Sequence, residues 1–296
     1  MADIITKFLI NDEVSVTASD TTQLVELART LHGTYPTSTA AFGRTLTAAV
    51  MMASFLKGKG QNLTVSINGG GPAGTVLATS DALGNVKGVI ANPQAHLPST
   101  ASGKLDVGGI IGKDGFVTVS KNMGAELPYV GKTKLVSGEI AEDIANYYLE
   151  SEQQPSIVYL SVWVGTDTSV IVAGGLIITP LPGASEETLS AIESRLFDIS
   201  NYGIMLMGLT PEAAVKKIFS GMDIKYMSEL HPKYNCDCSR ERITEVIRSL
   251  GEDELQDIIN TDGKAELVCR FCNKAYEFNK EELETILADL KTSKEK

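Results

Sequence analysis

Apolar and polar positions alternate over residues 3–9 and 14–17, on either side of Asn11-Asp12, and this predicts a β-hairpin at the start of the chain. Asp20 followed by Gln23 has the spacing of a capping box. It opens a predicted helix whose buried stripe is Leu24, Leu27, Ala28 and Leu31 and which Gly33 ends. A second helix is expected over residues 37–57, so dense in Ala, Leu and Met that it is apolar on most sides and belongs inside the fold. The pattern then changes to short strands at 63–67, 75–78 and 86–90, separated by glycine turns such as Gly84-Asn85. Further strands are expected at 116–120, 157–164, 169–172 and 176–178. An amphipathic helix over 139–150, carrying Ile140, Ile144, Tyr147 and Tyr148, interrupts them. Strands in runs, with helices grouped apart, predict an α+β domain over residues 1–180.

Pro180-Leu181-Pro182-Gly183 breaks any regular element and marks a boundary. Beyond it the chain reads as helical up to residue 231. Leu189, Ile192, Leu196 and Ile199 share one face, and Thr210-Pro211 caps a helix that turns Val215, Ile218 and Phe219 inward. Four of the eight methionines lie between Met205 and Met227. A flexible thioether suits a surface that accepts many shapes, although the same residues also make ordinary helix-packing contacts. The third segment, residues 232–296, is a small α/β module. Ser239 caps a helix bearing Ile243, Val246, Ile247 and Leu250 that Gly251 ends, and Leu255, Ile258 and Ile259 form a shorter one. Asp262-Gly263 leads into a hairpin, and Asn279 with Glu282 opens a last helix with Leu283, Ile286, Leu287 and Leu290. About sixty residues supply little core, so this module needs a staple.

The staple is visible in the cysteines. All four lie in the last module as Cys236-Asp237-Cys238 and Cys269-Arg270-Phe271-Cys272, two close thiol pairs on a loop long enough to bring them together. Four thiolates meeting at a point form a tetrahedral zinc site. The tight Cys-x-Cys pair departs from the usual two Cys-x-x-Cys knuckles. A permanent structural zinc is one reading of this set. A redox switch is the other, because metal-bound thiolates are deprotonated nucleophiles that peroxide or hypochlorous acid can oxidise.

Composition narrows the partners. With 43% hydrophobic and 21% charged residues the chain is ordinary for a globular protein. Its net charge of −11 repels phosphate backbones and argues against nucleic acid. From Lys233 onward the chain is itself acidic by roughly four charges. The opening Met1-Ala2-Asp3-Ile4 lacks the basic start and apolar core of a secretory leader, and the apolar stretch from Leu46 to Leu56 is too short for a bilayer. A cytoplasmic protein with no membrane partner is expected, in a reducing compartment where clustered thiols bind metal or sense redox state.

Other motifs carry less. Gly69-Gly70-Gly71-Pro72-Ala73-Gly74 matches Gly-x-Gly-x-x-Gly, but a strand follows where a dinucleotide site needs a helix, so a turn between strands is expected. The histidines are scattered. His231, five residues before Cys236, is a candidate neighbour of the metal.

The cysteine spacing, with Cys238-Ser239-Arg240-Glu241-Arg242 and Cys269-Arg270-Phe271-Cys272-Asn273, resembles the heat-shock protein 33 family of redox-regulated chaperones. Gly43-Arg44-Thr45-Leu46, Ser151-Glu152-Gln153-Gln154-Pro155 and Ala173-Gly174-Gly175-Leu176 before Leu181-Pro182 extend the resemblance along the chain, and Arg44 and Glu152 are expected to hold the fold. The resemblance implies an ATP-independent holdase and no enzyme. Its reduced form would hold one zinc and be inactive. Its oxidised form would carry disulfides Cys236–Cys238 and Cys269–Cys272, have an unfolded linker at 181–231, bind unfolding client proteins and form a homodimer. The rivals are a thiol–disulfide oxidoreductase, which wants Cys-x-x-Cys at the head of a helix, and a zinc-ribbon binding protein.

Overall fold

The structure is a computed structural model that describes residues 2–294. The chain divides into two compact units, Met1–Asn235 and Cys236–Lys296.

In the first unit, β1 (Ile4–Ile10) and β2 (Val14–Asp20) form the expected antiparallel hairpin, with Asn11 and Asp12 both at positive φ (50° and 58°) in the turn. Helix α1 (Thr22–His32) starts differently from the sequence expectation. Asp20 stays in β2, with its carboxylate on the Thr22 amide, while Asp3 accepts the first-turn amides of Gln23 (2.9 Å) and Leu24 (2.6 Å). The buried stripe is Leu24, Val25, Ala28 and His32. Leu27 is exposed, because α1 rotates Val25 toward the core in its place. Helix α2 (Pro36–Ala53) is buried on nearly every side. The chain continues through β3 (Asn62–Gly70), β4 (Val76–Asp81), β5 (Asn85–Ile90), α3 (Val107–Ile111), β6 (Gly112–Asn122), β7 (Tyr129–Lys134), α4 (Ala141–Glu150), β8 (Ile157–Val164) and β9 (Val170–Pro180). Four short helices follow, α5 (Glu186–Glu193), α6 (Leu196–Ser200), α7 (Tyr202–Met205) and α8 (Pro211–Ile218), and then β10 (Ile224–Leu230) and β11 (Lys233–Tyr234).

One sheet runs β10-β1-β2-β9-β8 and the other β11-β5-β4-β3-β6-β7. Helix α2 packs against β3, β4 and β5 of the second sheet and against β2, β8 and β9 of the first, which is why a helix apolar all round is stable there. Strand β9 explains its own sequence. Val172, Leu176 and Ile178 face one apolar cluster while Ala173 and Ile177 face the other, so the run is apolar without alternation. The strands expected separately at 169–172 and 176–178 are one, because Gly174 and Gly175 between them are paired to β2 and β8. The outer cluster joins Phe8, Val16 and Leu176 to Ile199, Tyr202, Val215, Ile218 and Phe219. The helices after β9 thus cover one face of the first sheet. Within this stretch Leu196 is exposed rather than inward. Residues 224–230, expected to be helical, are instead strand β10, paired antiparallel to β1 from Ile5↔Leu230 to Ile10↔Ile224.

Gly69 and Gly71 lie against the backbone of Ile110–Gly112, where a Cβ would collide, and Gly70 and Gly74 have positive φ. The glycine run is a turn and a close crossing between strands, as its sequence predicts.

The second unit holds α9 (Arg240–Arg248), α10 (Glu252–Thr261), the hairpin β12 (Lys264–Val268) and β13 (Ala275–Asn279), and α11 (Lys280–Lys294). Ser239 Oγ caps α9 through the Arg242 amide. The capping box at α11 is reciprocal, since Asn279 N donates to Glu282 Oε2 (2.9 Å) and Glu282 N to Asn279 Oδ1 (3.0 Å). Ile247, Leu255, Ile259, Phe278, Leu283, Ile286 and Leu287 form its core, with Val246 and Leu250 left exposed.

Candidate metal centre

The hairpin turn presents one thiol pair. Strand β12 ends at Val268, and the Cys269 amide donates to the Lys274 carbonyl (3.0 Å). The Cys269 carbonyl accepts from Cys272 N (3.3 Å) and Asn273 N (2.7 Å), with Asn273 in the left-handed region (φ 56°). This tight turn aims both sulfurs to one side. Cys236 and Cys238 present the other pair from the segment before α9, since residues two apart in extended chain point the same way. Arg242 pairs with the intervening Asp237.

The four Sγ atoms lie within 4.8 Å of one another, with Cys236 and Cys269 3.6 Å apart and Cys238 and Cys272 3.4 Å apart. A disulfide needs ~2.05 Å, so these are four free thiols. Bond lengths of ~2.3 Å to a central ion give a tetrahedron with edges of ~3.8 Å, close to the 3.6 and 3.4 Å across the pairs. The set can hold a metal ion. Both of these close separations join across the pairs, so sulfur proximity does not select the vicinal disulfide pairing over a crossed one.

Cys269 is buried and the other three are half-buried, packed beside Ile243, Leu267 and Phe271. Burial pushes the Cys236 and Cys272 thiols up, while a hydrogen bond from the Tyr276 hydroxyl (3.2 Å) holds Cys238 down to about 7. The same bond pushes Tyr276 up to about 12. A cation held by the four sulfurs would draw the protons from the buried ones.

The sequence reading places the four cysteines correctly in one cluster but misses two residues around them. One is Tyr276; alternation along β13, which turns Tyr276 and Phe278 inward, is the signal that would have found it. The other is Arg240, whose guanidinium lies 4.3 Å from the Phe278 ring centroid and donates to the Glu277 carbonyl (2.8 Å) and Glu282 Oε1 (2.6 Å). It braces the start of α9 against β13 and α11. The histidines are placed elsewhere: His32 Nε2 is 2.9 Å from Tyr234 Oη, His96 Nδ1 2.8 Å from Thr37 Oγ1, and His231 Nδ1 3.2 Å from the Asp3 carbonyl. Arg44 and Glu152 lie in the first unit. Arg44 Nη1 meets Glu139 Oε2 at 2.7 Å, and Glu152 accepts from Lys121 (2.7 Å) and Tyr147. Arg44 ties α2 to the bend before α4, and Glu152 ties the end of α4 to β6.

A large mixed α/β body carrying a small unit stapled by four thiols, with Cys269-x-x-Cys272 in a hairpin turn rather than at a helix start, is not built like an oxidoreductase. It defines a protein whose chemistry resides in a metal-capable appendage. The profile of the family described as "Hsp33 protein" matches residues 3–279. The chain is 43% identical to the 33 kDa chaperonin of Alkaliphilus metalliredigens over 95% of its own length and 96% of that protein's. It is 43% identical to the 33 kDa chaperonin of Geobacillus sp., with 97% of each covered. The crystal structure of the 33 kDa chaperonin from Thermotoga maritima superposes with a TM-score of 0.90 at 32% identity, over 100% of this chain and 99% of that one. The chain belongs to the Hsp33 family, whose members are chaperones and not enzymes. Among the described residues no helix is long and apolar enough to cross a membrane.

Proposed function

We propose that the chain is a redox-regulated, ATP-independent holdase of the cytoplasm, inactive while its four thiolates hold one zinc ion and active after they are oxidised. The observation that carries this reading is the convergence of all four sulfurs within 4.8 Å in a unit with a small core. The Sγ atoms of Cys236, Cys238, Cys269 and Cys272 would hold the ion, and a four-sulfur tetrahedral donor set suits zinc. Bound zinc supplies cohesion, tying the hairpin turn to the segment before α9 and contributing folding free energy.

Oxidation of the thiolates to disulfides Cys236–Cys238 and Cys269–Cys272 removes all four donor atoms. Each bond takes two electrons from a thiolate pair and passes them to one peroxide, which leaves with two protons as two waters. The vicinal pairing is supported by chain connectivity. Once the unit loosens, residues two or three apart stay together, whereas a cross-pair must close a loop of some thirty residues. Functionally we divide the chain into a core at 1–180, a linker at 181–231 and a sensor module at 232–296. The linker's helices cover an apolar sheet face built from Phe8, Val14, Val16, Val172, Leu176 and Ile178. Their departure exposes a surface for unfolding client proteins, and the oxidised form pairs as a homodimer. Met207 and Met227 are already exposed, while Met205 and Met222 pack on the covered cluster, so the methionines serve both states.

The test follows zinc with a metallochromic dye and client aggregation by light scattering while reduced protein meets peroxide at raised temperature. Zinc release with protection, both reversed by reductant and zinc, is expected. Zinc release without protection refutes the switch, and a Cys238–Cys269 crosslink on peptide mapping refutes the pairing.

A further inference from the structure

Tyr276 sits in β13 with its side chain turned into the unit, 5% exposed, and its hydroxyl 3.2 Å from Cys238 Sγ. A buried phenol seeks a partner for its proton, and here that partner is a sulfur of the candidate metal centre. The Lys274 ammonium lies 5.0 Å from the Tyr276 ring centroid. A cation against the ring draws density from it and makes the hydroxyl a stronger donor. Residues that donate to a metal's ligands fix their orientation and hold the metal in place. A thiolate that accepts a hydrogen bond also has less charge to offer an electrophile.

We propose that Tyr276 is a positioning residue of the thiolate centre: its hydroxyl holds the Cys238 sulfur toward the ion and draws charge from it, slowing both metal loss and attack on that sulfur. The proposal rests on the zinc-holding reading above. It concerns the hydroxyl and not the ring, whose packing a phenylalanine would keep.

The test uses the full chain, zinc-loaded and reduced, as wild type, Tyr276→Phe and a form with 3-fluorotyrosine at position 276, whose hydroxyl is a stronger donor. Iodoacetamide labelling with peptide mapping reads the reactivity of Cys238, and a chelator with a dye reads zinc dissociation. In Tyr276→Phe, Cys238 labelling and zinc dissociation are both expected to rise roughly tenfold, the loss of one hydrogen bond to a charged group. In the fluorotyrosine form both fall below wild type. With cadmium in place of zinc, the 113Cd resonance shifts in opposite directions in the two variants. Rates in Tyr276→Phe within twofold of wild type overturn the proposal. So does a fluorotyrosine form that moves in the same direction as the phenylalanine, since ring packing and not the hydroxyl then controls the site. Wild type that takes up no zinc removes the zinc reading and this inference with it, whereas zinc-binding wild type with an unaltered Tyr276→Phe sinks the inference alone.

Discussion

The body up to Asn235 fully buries Phe8, Phe42, Tyr147, Tyr202 and Phe219 and encloses an entire helix between two sheets. Among the described residues, the unit from Cys236 onward has two buried aromatics, Tyr276 and Phe278, and one cysteine in a core of nine. The body's cohesion is spread over many contacts, so no single residue decides it. In the smaller unit the apolar core is small, and with zinc bound as proposed its cohesion would be concentrated at four sulfur atoms and a few polar braces. The first design resists chemical change; on the reading proposed above, the second would convert an oxidant into a loss of structure, because the groups that react would be the groups that hold.

The sharpest way to break this comparison is to remove one sulfur. Cys269→Ser is expected to forfeit most of the ~10–16 kcal/mol that a structural zinc contributes and to unfold the smaller unit alone. In 15N–1H spectra, resonances of residues 236–294 should collapse to unfolded positions while those of the body stay; a folded smaller unit would show that its apolar core suffices. The converse change strikes the body. Phe219→Ala, at a fully buried position on the inner face of the cover, should cost about 3–5 kcal/mol in the body's urea transition and leave zinc content unchanged.

A third change uses pH. Burial raises the Asp3 carboxyl from 3.8 to about 6 although the Gln23 and Leu24 amides donate to it. Between these values the folded body holds a proton that the unfolded chain has released. Its contribution to stability is therefore full below pH about 4 and is lost as the pH rises through about 6. Asp3→Asn should flatten that slope relative to wild type by at most about 3 kcal/mol, measured in the body's transition and not in the smaller unit's. The smallest effect is expected from Arg240→Ala, which removes a half-exposed brace over Phe278 and costs the smaller unit about 1 kcal/mol with zinc bound. A loss several times larger would mean that polar braces rival the thiols.

The thiol cluster was legible in sequence, since two close cysteine pairs separated by a long loop can fold back on one another. The first hairpin, the buried α2 and the α11 capping box were also legible, because local pattern and tertiary setting agree there. Strand β7 was not: Tyr129-Val130-Gly131-Lys132-Thr133-Lys134 is a lysine-bearing edge strand, whose chemistry discourages pairing with other chains and hides it from pattern reading. Strand β10 was missed because five of its seven residues are exposed, so burial imposes little pattern on it. The capping of α1 by Asp3 depends on a contact twenty residues back that only the sheet creates. Tyr276 was passed over because alternation along β13 marks the residue as inward but not what its hydroxyl meets.

Strand β11 sits on the chain between the thiols and the body's longer ladder. Lys233 N donates to the Gly84 carbonyl and Asn235 N to that of Val86, and Tyr234 Oη reaches His32 and Gly88. Loosening that begins beyond Asn235 meets this short clasp first and only then the bonds between β10 and β1. Since β10 is an outermost strand, it can be peeled from its Leu230 end one bond at a time and need not be sheared as a whole. Peeling spreads the barrier into small steps, each able to reverse, and it runs from the last strand back toward the covering helices. On the proposed reading the clasp would set a threshold, with brief fraying of the smaller unit stopping at Tyr234 and only lasting loss of order passing beyond it.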